Sequence, residues 1–204
     1  GIPTGDGDRR KLDALWGGVA HQGVGALASE IEYAGIEDIL RIADSRGEAP
    51  FIVIADSIND PHNLGAIIRS ACCAGAHGVV IPKRRAVQVT PAVIKASAGA
   101  IEHIAVARVP NLAAAVDELK EKNVWLYAVE ADGEPYYGKD FSTGGCAFIL
   151  GSEGEGVSRL LRDKADFVVS IPMYGGVNSL NVSAAASVVI FEAARQRHGE
   201  GRKN

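Results

Sequence analysis

Between Phe51 and Ala55 five apolar residues, three of them β-branched, follow one another without a polar break. Short runs of the same kind recur at Gly78 to Ile81, His103 to Val109, Val124 to Val129, Cys146 to Leu150 and Phe167 to Ile171. Strands this uniformly apolar are buried on both faces, which an antiparallel sheet with one wet side does not provide. Helical spacing fills the gaps. Ile36, Ile39, Leu40 and Ala43 share one stripe; Leu64, Ile67, Ile68, Ala71 and Cys72 share another, in a helix from Asn63 to a C-terminal cap at Gly75. Further helices are predicted from Thr90, with Pro91 in the first turn, over Leu112 to Lys122, and briefly around Ser158 to Asp163. The alternation predicts an α/β fold: a parallel sheet with helices on both faces.

The chain has 204 residues, 47% hydrophobic and 23% charged, which suits one generous domain with a sizeable core. Residues 1–11, GIPTGDGDRRK, have no apolar period and read as a linker or frayed terminus, with the domain running from residue 12 to 204. A net charge of −4 excludes coating of nucleic acid by bulk electrostatics, so any such contact is local. No apolar run is long enough to span a bilayer. Three cysteines without zinc spacing point to a reducing cytoplasm. Since the chain begins at Gly1 without a signal-peptide pattern, it is expected to be part of a longer protein.

Candidate chemistry gathers in three loops at strand ends: residues 56–69, residues 150–159 and the stretch from Ile171 to Arg195. In the last, Pro172 tends to end a strand, Gly175 and Gly176 let backbone approach something bulky, and Ser179 or Asn181 can cap a helix. That helix, small and apolar from Ala184 to Ala194, needs cover on most sides, from the domain or from a second subunit. Open α/β sheets bind ligands at such carboxyl ends. The dinucleotide fingerprint fails, because Gly151, Gly154 and Gly156 come late and in the wrong order. The phosphate-binding loop, the serine-hydrolase elbow and metal-ligand histidine spacing are also missing.

DSINDPHNLGAIIRSACCAG, FILGSEGEGVSRLL and IPMYGGVNSLNVSAAASVVIFEA resemble, in order and spacing, the three motifs of the SpoU family of RNA ribose 2′-O-methyltransferases, within the SPOUT superfamily. LDALWGGVAHQGV, residues 12–24, is similar to the segment ahead of the catalytic domain in the ribosomal-RNA branch, and includes His21 and Gln22, for which no role follows from the residues. The resemblance implies a C-terminal deep trefoil knot holding S-adenosylmethionine, no metal, a homodimer through the C-terminal helix region, and an RNA-binding domain ahead of the catalytic chain. It also implies RNA as substrate, 23S ribosomal RNA (guanosine 2′-O-methylation) ahead of transfer RNA. A non-catalytic RNA-binding or assembly factor on the same fold is the alternative.

By the same resemblance Asn63, Arg69, Glu153, Ser179 and Asn181 are the catalytic set, and Gly151, Ile171, Met173, Gly176 and Leu180 hold the donor. Each has a plainer reading. Asn63 can cap its helix, Arg69 can be a surface residue, Glu153 can fix the glycine-rich turn through backbone N–H groups, and Ser179 or Asn181 can cap the last helix. For Arg69 the expected role is to orient a phosphate and polarise the hydroxyl, since a guanidinium stays protonated. Lys83, Arg84 and Arg85 are candidates for RNA phosphate contact. Cys72 and Cys73 read as helix packing.

Overall fold

The computed structural model describes residues 5–17, 23–25 and 31–199; His21 and Gln22 lie outside them. Contacts divide the chain into residues 1–32 and 33–204. In the first unit helix α1, Arg9–Trp16, starts inside the stretch read as a linker. Asp8 caps it by accepting from the Lys11 N–H at 2.8 Å, and Gly17 closes it at φ 58°.

The second unit runs α2 (Ile36–Arg46), β1 (Phe51–Ala55), α3 (Pro61–Cys73), β2 (Gly78–Pro82), α4 (Pro91–Ala96), β3 (Ala105–Val109), α5 (Leu112–Glu121), β4 (Val124–Pro135), β5 (Gly145–Leu150), α6 (Arg159–Lys164), β6 (Phe167–Ser170) and α7 (Val182–Gly199). The six strands form one sheet in the order β3-β2-β1-β5-β4-β6, every pair parallel. All strands therefore start at one end of the sheet and finish at the other. Side chains alternate between faces. Ile52, Ile54, Leu126, Ala147 and Ile149 join Ile39 of α2, Val116 and Leu119 of α5 and Leu161 of α6 in one core. Phe51, Val53, Tyr127 and Phe148 lie on the opposite face, where α3 and α7 pack together. Here Phe51 and Phe148 meet edge to face and Tyr127 stacks on Phe148. The parallel α/β sheet with helices on both faces is the fold expected.

Four local differences have physical causes. Asn63 does not cap α3. Pro61, which lacks an N–H, takes the first helical position, so the cap falls on Asp60, whose carboxylate accepts from the His62 N–H at 2.9 Å. Second, β4 does not end at Val129. It bulges over residues 130–133 and rejoins β6 at Glu134 and Pro135, because Gly133 lets the chain cross Val168, whose carbonyl oxygen would lie 2.7 Å from any Cβ there. Third, β3 begins two residues after His103, since Ala100–Glu102 forms a single 3₁₀ turn. Fourth, α7 extends well past Ala194, and among the described residues one stripe of it stays open: Val182, Ala186, Val189, Ile190 and Ala193 are buried, while Ala184 and Arg195 are exposed and Phe191 is 48% exposed. Cys72 is half-buried but Cys73 is exposed, so only the first packs.

Candidate active site

The Asp60 cap frees the Asn63 side chain, which is buried at the start of α3 and points across to the loop after β5. Its Nδ2 donates to Glu153 Oε1 at 3.1 Å. Asn181, just ahead of α7, donates through Nδ2 to the same Glu153 oxygen at 2.5 Å and to Asn63 Oδ1 at 3.0 Å. The Asn181 Oδ1 faces the other way and caps α7, accepting from the Ser183 N–H (2.9 Å), Ser183 Oγ (2.6 Å) and the Ala184 N–H (3.3 Å). A carboxylate only accepts, so both amide orientations are fixed by the network. One residue from each motif is thus tied into a single knot of hydrogen bonds. Glu153 Oε2 has no partner among the described residues.

The plainer role for Glu153, fixing the glycine-rich turn through backbone N–H groups, has no such bond behind it among the described residues. The turn is held by the Ser152 N–H to Gly156 carbonyl bond (3.1 Å) and its reciprocal (3.0 Å), and by Glu130, which accepts from the Val157 N–H. Gly151 must be glycine, since a Cβ would fall inside the Gly156–Val157 backbone. Gly175 and Gly176 differ. A Cβ at either meets open space, so no protein contact requires glycine there.

Beside the knot opens a cavity of about 780 Å³ lined by the bulge of β4, the end of β5 and the loop after it, the segment after β6 and the start of α7. Gly151, Ile171, Met173 and Leu180 line it, with Ser179, Asn181 and Glu153 on its wall. Gly176 lines an adjoining cavity of about 580 Å³ that shares Ile171, Met173 and Asn178 with the first. Main-chain groups, a few aliphatic side chains and uncharged amides are what a purine and its sugar need, and the volume is within the usual range for such ligands. Sequence reasoning missed Glu130, brought to the wall by the β4 bulge. An acidic residue closing an apolar strand at the carboxyl end of the sheet was the available signal. Tyr137 and Tyr174 are both exposed, and the Tyr174 hydroxyl is the main cause raising the Tyr137 pKa.

Arg69 does not join the knot. It is exposed two turns further along α3, lines neither cavity, and makes no hydrogen bond or ion pair among the described residues. The neighbouring face of α3 runs beside α7, joined there by Ser70 and Ser187 at 2.8 Å. Lys83, Arg84 and Arg85 are exposed in the loop after β2, at the same end of the sheet as the cavity. β2 is two strands from β5, about 10 Å away.

Residues 50–191 match the family model described as the SpoU rRNA Methylase family. YacO of Bacillus subtilis, named as a TrmH family tRNA/rRNA methyltransferase, is 46% identical over 193 residues, 95% of this chain and 77% of that protein. The crystal structure of the SpoU methyltransferase AviRb from Streptomyces viridochromogenes, in complex with AdoMet, superposes with a TM-score of 0.73 at 30% identity, covering 83% of this chain and 67% of the other. A solved RNA 2′-O ribose methyltransferase gives a TM-score of 0.66 at 29% identity, over 84% of this chain and 62% of its own.

Proposed function

The chain belongs to the SpoU rRNA methylase family, and from that premise we propose that it transfers the methyl group of S-adenosylmethionine to a ribose 2′-hydroxyl of structured RNA. The observation that carries this reading is the junction of the donor-sized cavity with the Asn63–Glu153–Asn181 knot. An in-line displacement needs the sulfonium methyl and the attacking oxygen held at near-attack distance, and placement alone can lower a barrier by about 7–11 kcal/mol at best. AviRb binds AdoMet and another neighbour is named for 2′-O ribose chemistry, which supports both halves of the reaction. The donor lies against Gly151, Ile171, Met173 and Leu180, with Gly176 at the adjoining end, in the knotted C-terminal segment that the family resemblance implies.

The 2′-oxygen attacks the methyl carbon, the carbon–sulfur bond breaks, and a neutral thioether leaves. Glu153 Oε1 is anchored by two amides, which leaves Oε2 to accept a hydrogen bond from the incoming hydroxyl and hold it in line. The proton then passes to a phosphate or to water. Ser179, exposed on the cavity wall, supplies a further hydroxyl. Because Arg69 lines neither cavity of its own chain, it serves the site of a second copy, in a homodimer that covers Phe191 and the open side of α7. There it orients a phosphate, while Lys83, Arg84 and Arg85 meet neighbouring phosphates. Ribosomal RNA, through the 12–24 segment, is the favoured substrate over transfer RNA, and the reducing cytoplasm the place of work.

The experiment pairs calorimetry with S-adenosylmethionine and NAD against single-turnover methyl transfer to ribosomal and transfer RNA, with ribose methylation read as resistance to alkaline cleavage. Donor binding with 2′-O-methyl product is expected. Binding of NAD alone, or methyl groups found only on bases, would overturn the reading. Arg69→Ala is expected to keep donor affinity and lower the transfer rate by on the order of 10²–10³. Arg69→Lys rescues little, because a point charge does not reproduce the planar fork.

A further inference from the structure

On the other side of the Asn63–Glu153 pair lies a second, smaller cleft of about 190 Å³. Ser152, Glu153 and Val182 line both this cleft and the large cavity. Glu153 is therefore a partition between two holes, one sized for a nucleoside donor and one holding roughly the volume of six waters. An in-line transfer needs its two reactants on opposite sides of the moving carbon.

The small cleft is preformed. Ser57, on its wall, sits in the left-handed region at φ 58°, a conformation that costs a non-glycine residue free energy and that recurs at ligand sites. The loop is pinned from two directions. Ser57 Oγ bonds Asp56 Oδ1 (3.1 Å) while Asp56 Oδ2, buried, accepts from the Ser158 N–H (2.8 Å). The Ile58 carbonyl accepts from the Val87 N–H at 2.9 Å. The lining also selects a chemistry. It carries two carboxylates, Asp60 and Glu153, with two amides and two hydroxyls, and no Lys or Arg among the described residues. Such a wall repels a phosphodiester and accepts hydroxyl groups.

We propose that this cleft seats the acceptor ribose, its 2′-hydroxyl turned to Glu153, and that Asn59 on the exposed rim meets the base that the ribose carries. The cleft has room for a sugar ring, and with the 2′-hydroxyl turned inward to Glu153 the base is left at the rim, where an amide offers both a donor and an acceptor to its edge. This rests on the methyltransferase reading above and assigns the acceptor its own pocket.

The test compares two probes by calorimetry on the full chain: S-adenosylhomocysteine, and a bisubstrate compound in which the same adenosyl group is joined through a two-carbon linker on an amine to the 2′-oxygen of guanosine. The wild-type chain is expected to bind the bisubstrate at least tenfold more tightly. Asn59→Trp, which fills the rim, is expected to keep S-adenosylhomocysteine affinity within twofold and to lose the tenfold gain; Asn59→Ala loses about threefold of it. Should the tryptophan variant fail to bind S-adenosylhomocysteine, Asn59→Ala decides, a full tenfold gain counting against the proposal. No gain in the wild type, or a full gain in Asn59→Trp, overturns the acceptor cleft and leaves the donor site standing. A wild-type chain that binds neither probe overturns the methyltransferase reading and this inference with it.

Discussion

The two ends of the sheet treat polar groups in opposite ways. At the end where strands start, no buried side-chain polar atom among the described residues lacks a partner. His77 is buried; its Nδ1 accepts from the Phe51 N–H at 2.9 Å, so the proton is on Nε2 and goes to Glu48 at 3.0 Å. Arg197, from the last turns of α7, donates to the carbonyls of Phe141 and Gly144 at 3.1 Å and to that of Ala49, and lies over the Phe51 ring. At the end where strands finish, Glu153 keeps one oxygen unpaired, Ser179 is exposed, and Asn181 divides its amide between the knot and the α7 cap. A saturated set of bonds holds a fold. An unsaturated one, held rigid by the saturated part, is ready for a ligand.

Changes at one end should therefore leave the other untouched. The largest effect is expected from Glu153→Gln. The variant retains an acceptor for Asn63 and Asn181 but no charge toward the substrate, and should lower single-turnover methyl transfer by on the order of 10²–10³ with donor affinity and urea midpoint unchanged. A collapse of stability instead would make Glu153 a brace and erase the contrast. Next, Arg197→Ala leaves three carbonyls without their donor and is expected to cost about 3 kcal/mol in urea unfolding, while adenosylmethionine affinity in the folded fraction stays put.

A smaller effect comes from pH. Burial is the main cause holding the His77 pKa below its ordinary value, against the Glu48 bond, which raises it. The unfolded chain then binds a proton that the native chain refuses, so this contribution is complete above about pH 6.5 and is lost as pH falls from there toward the native pKa. The slope in that window is at most about 1.4 kcal/mol per pH unit, and His77→Gln should remove it; an unchanged slope would place its origin elsewhere. Smallest is Gly176→Ala, expected within about 0.5 kcal/mol of wild-type stability because its Cβ meets open space, yet with donor affinity reduced severalfold.

The same contrast governs what the residues disclosed before folding. Apolar runs and 3.6-residue stripes respond to local physics, so the strand cores and most helices were legible. Asn63, Glu153 and Asn181 could be picked out, but their meeting could not, since it depends on three loops separated by whole βα units. The cap at Asp60 was readable from Asp60-Pro61, because proline is tolerated only in a first turn; following the apolar stripe alone put the helix start two residues late. Beyond Val129 the Asp132-Gly133 pair reads as a turn, and only the crossing against Val168 shows why the strand resumes. His77 and Arg197 gave no sequence signal, because neither a buried neutral imidazole set between an amide and a carboxylate nor a half-buried guanidinium bonded to carbonyls has a motif.

The parallel order β3-β2-β1-β5-β4-β6 also sets a sequence of events in time. β1, β2 and β3 adjoin through successive short connections, whereas β5 pairs Phe51 with Cys146, across nearly half the chain. Long-range parallel pairing pays its loop-closure entropy before any contact rewards it, so it forms slowly. The half of the sheet carrying Asn63 is thus complete while the half carrying Glu153 and Asn181 is still being recruited. During refolding, far-ultraviolet circular dichroism should recover first and donor binding last, with the bonds among Asn63, Glu153 and Asn181 as the closing event of the reaction that makes the protein.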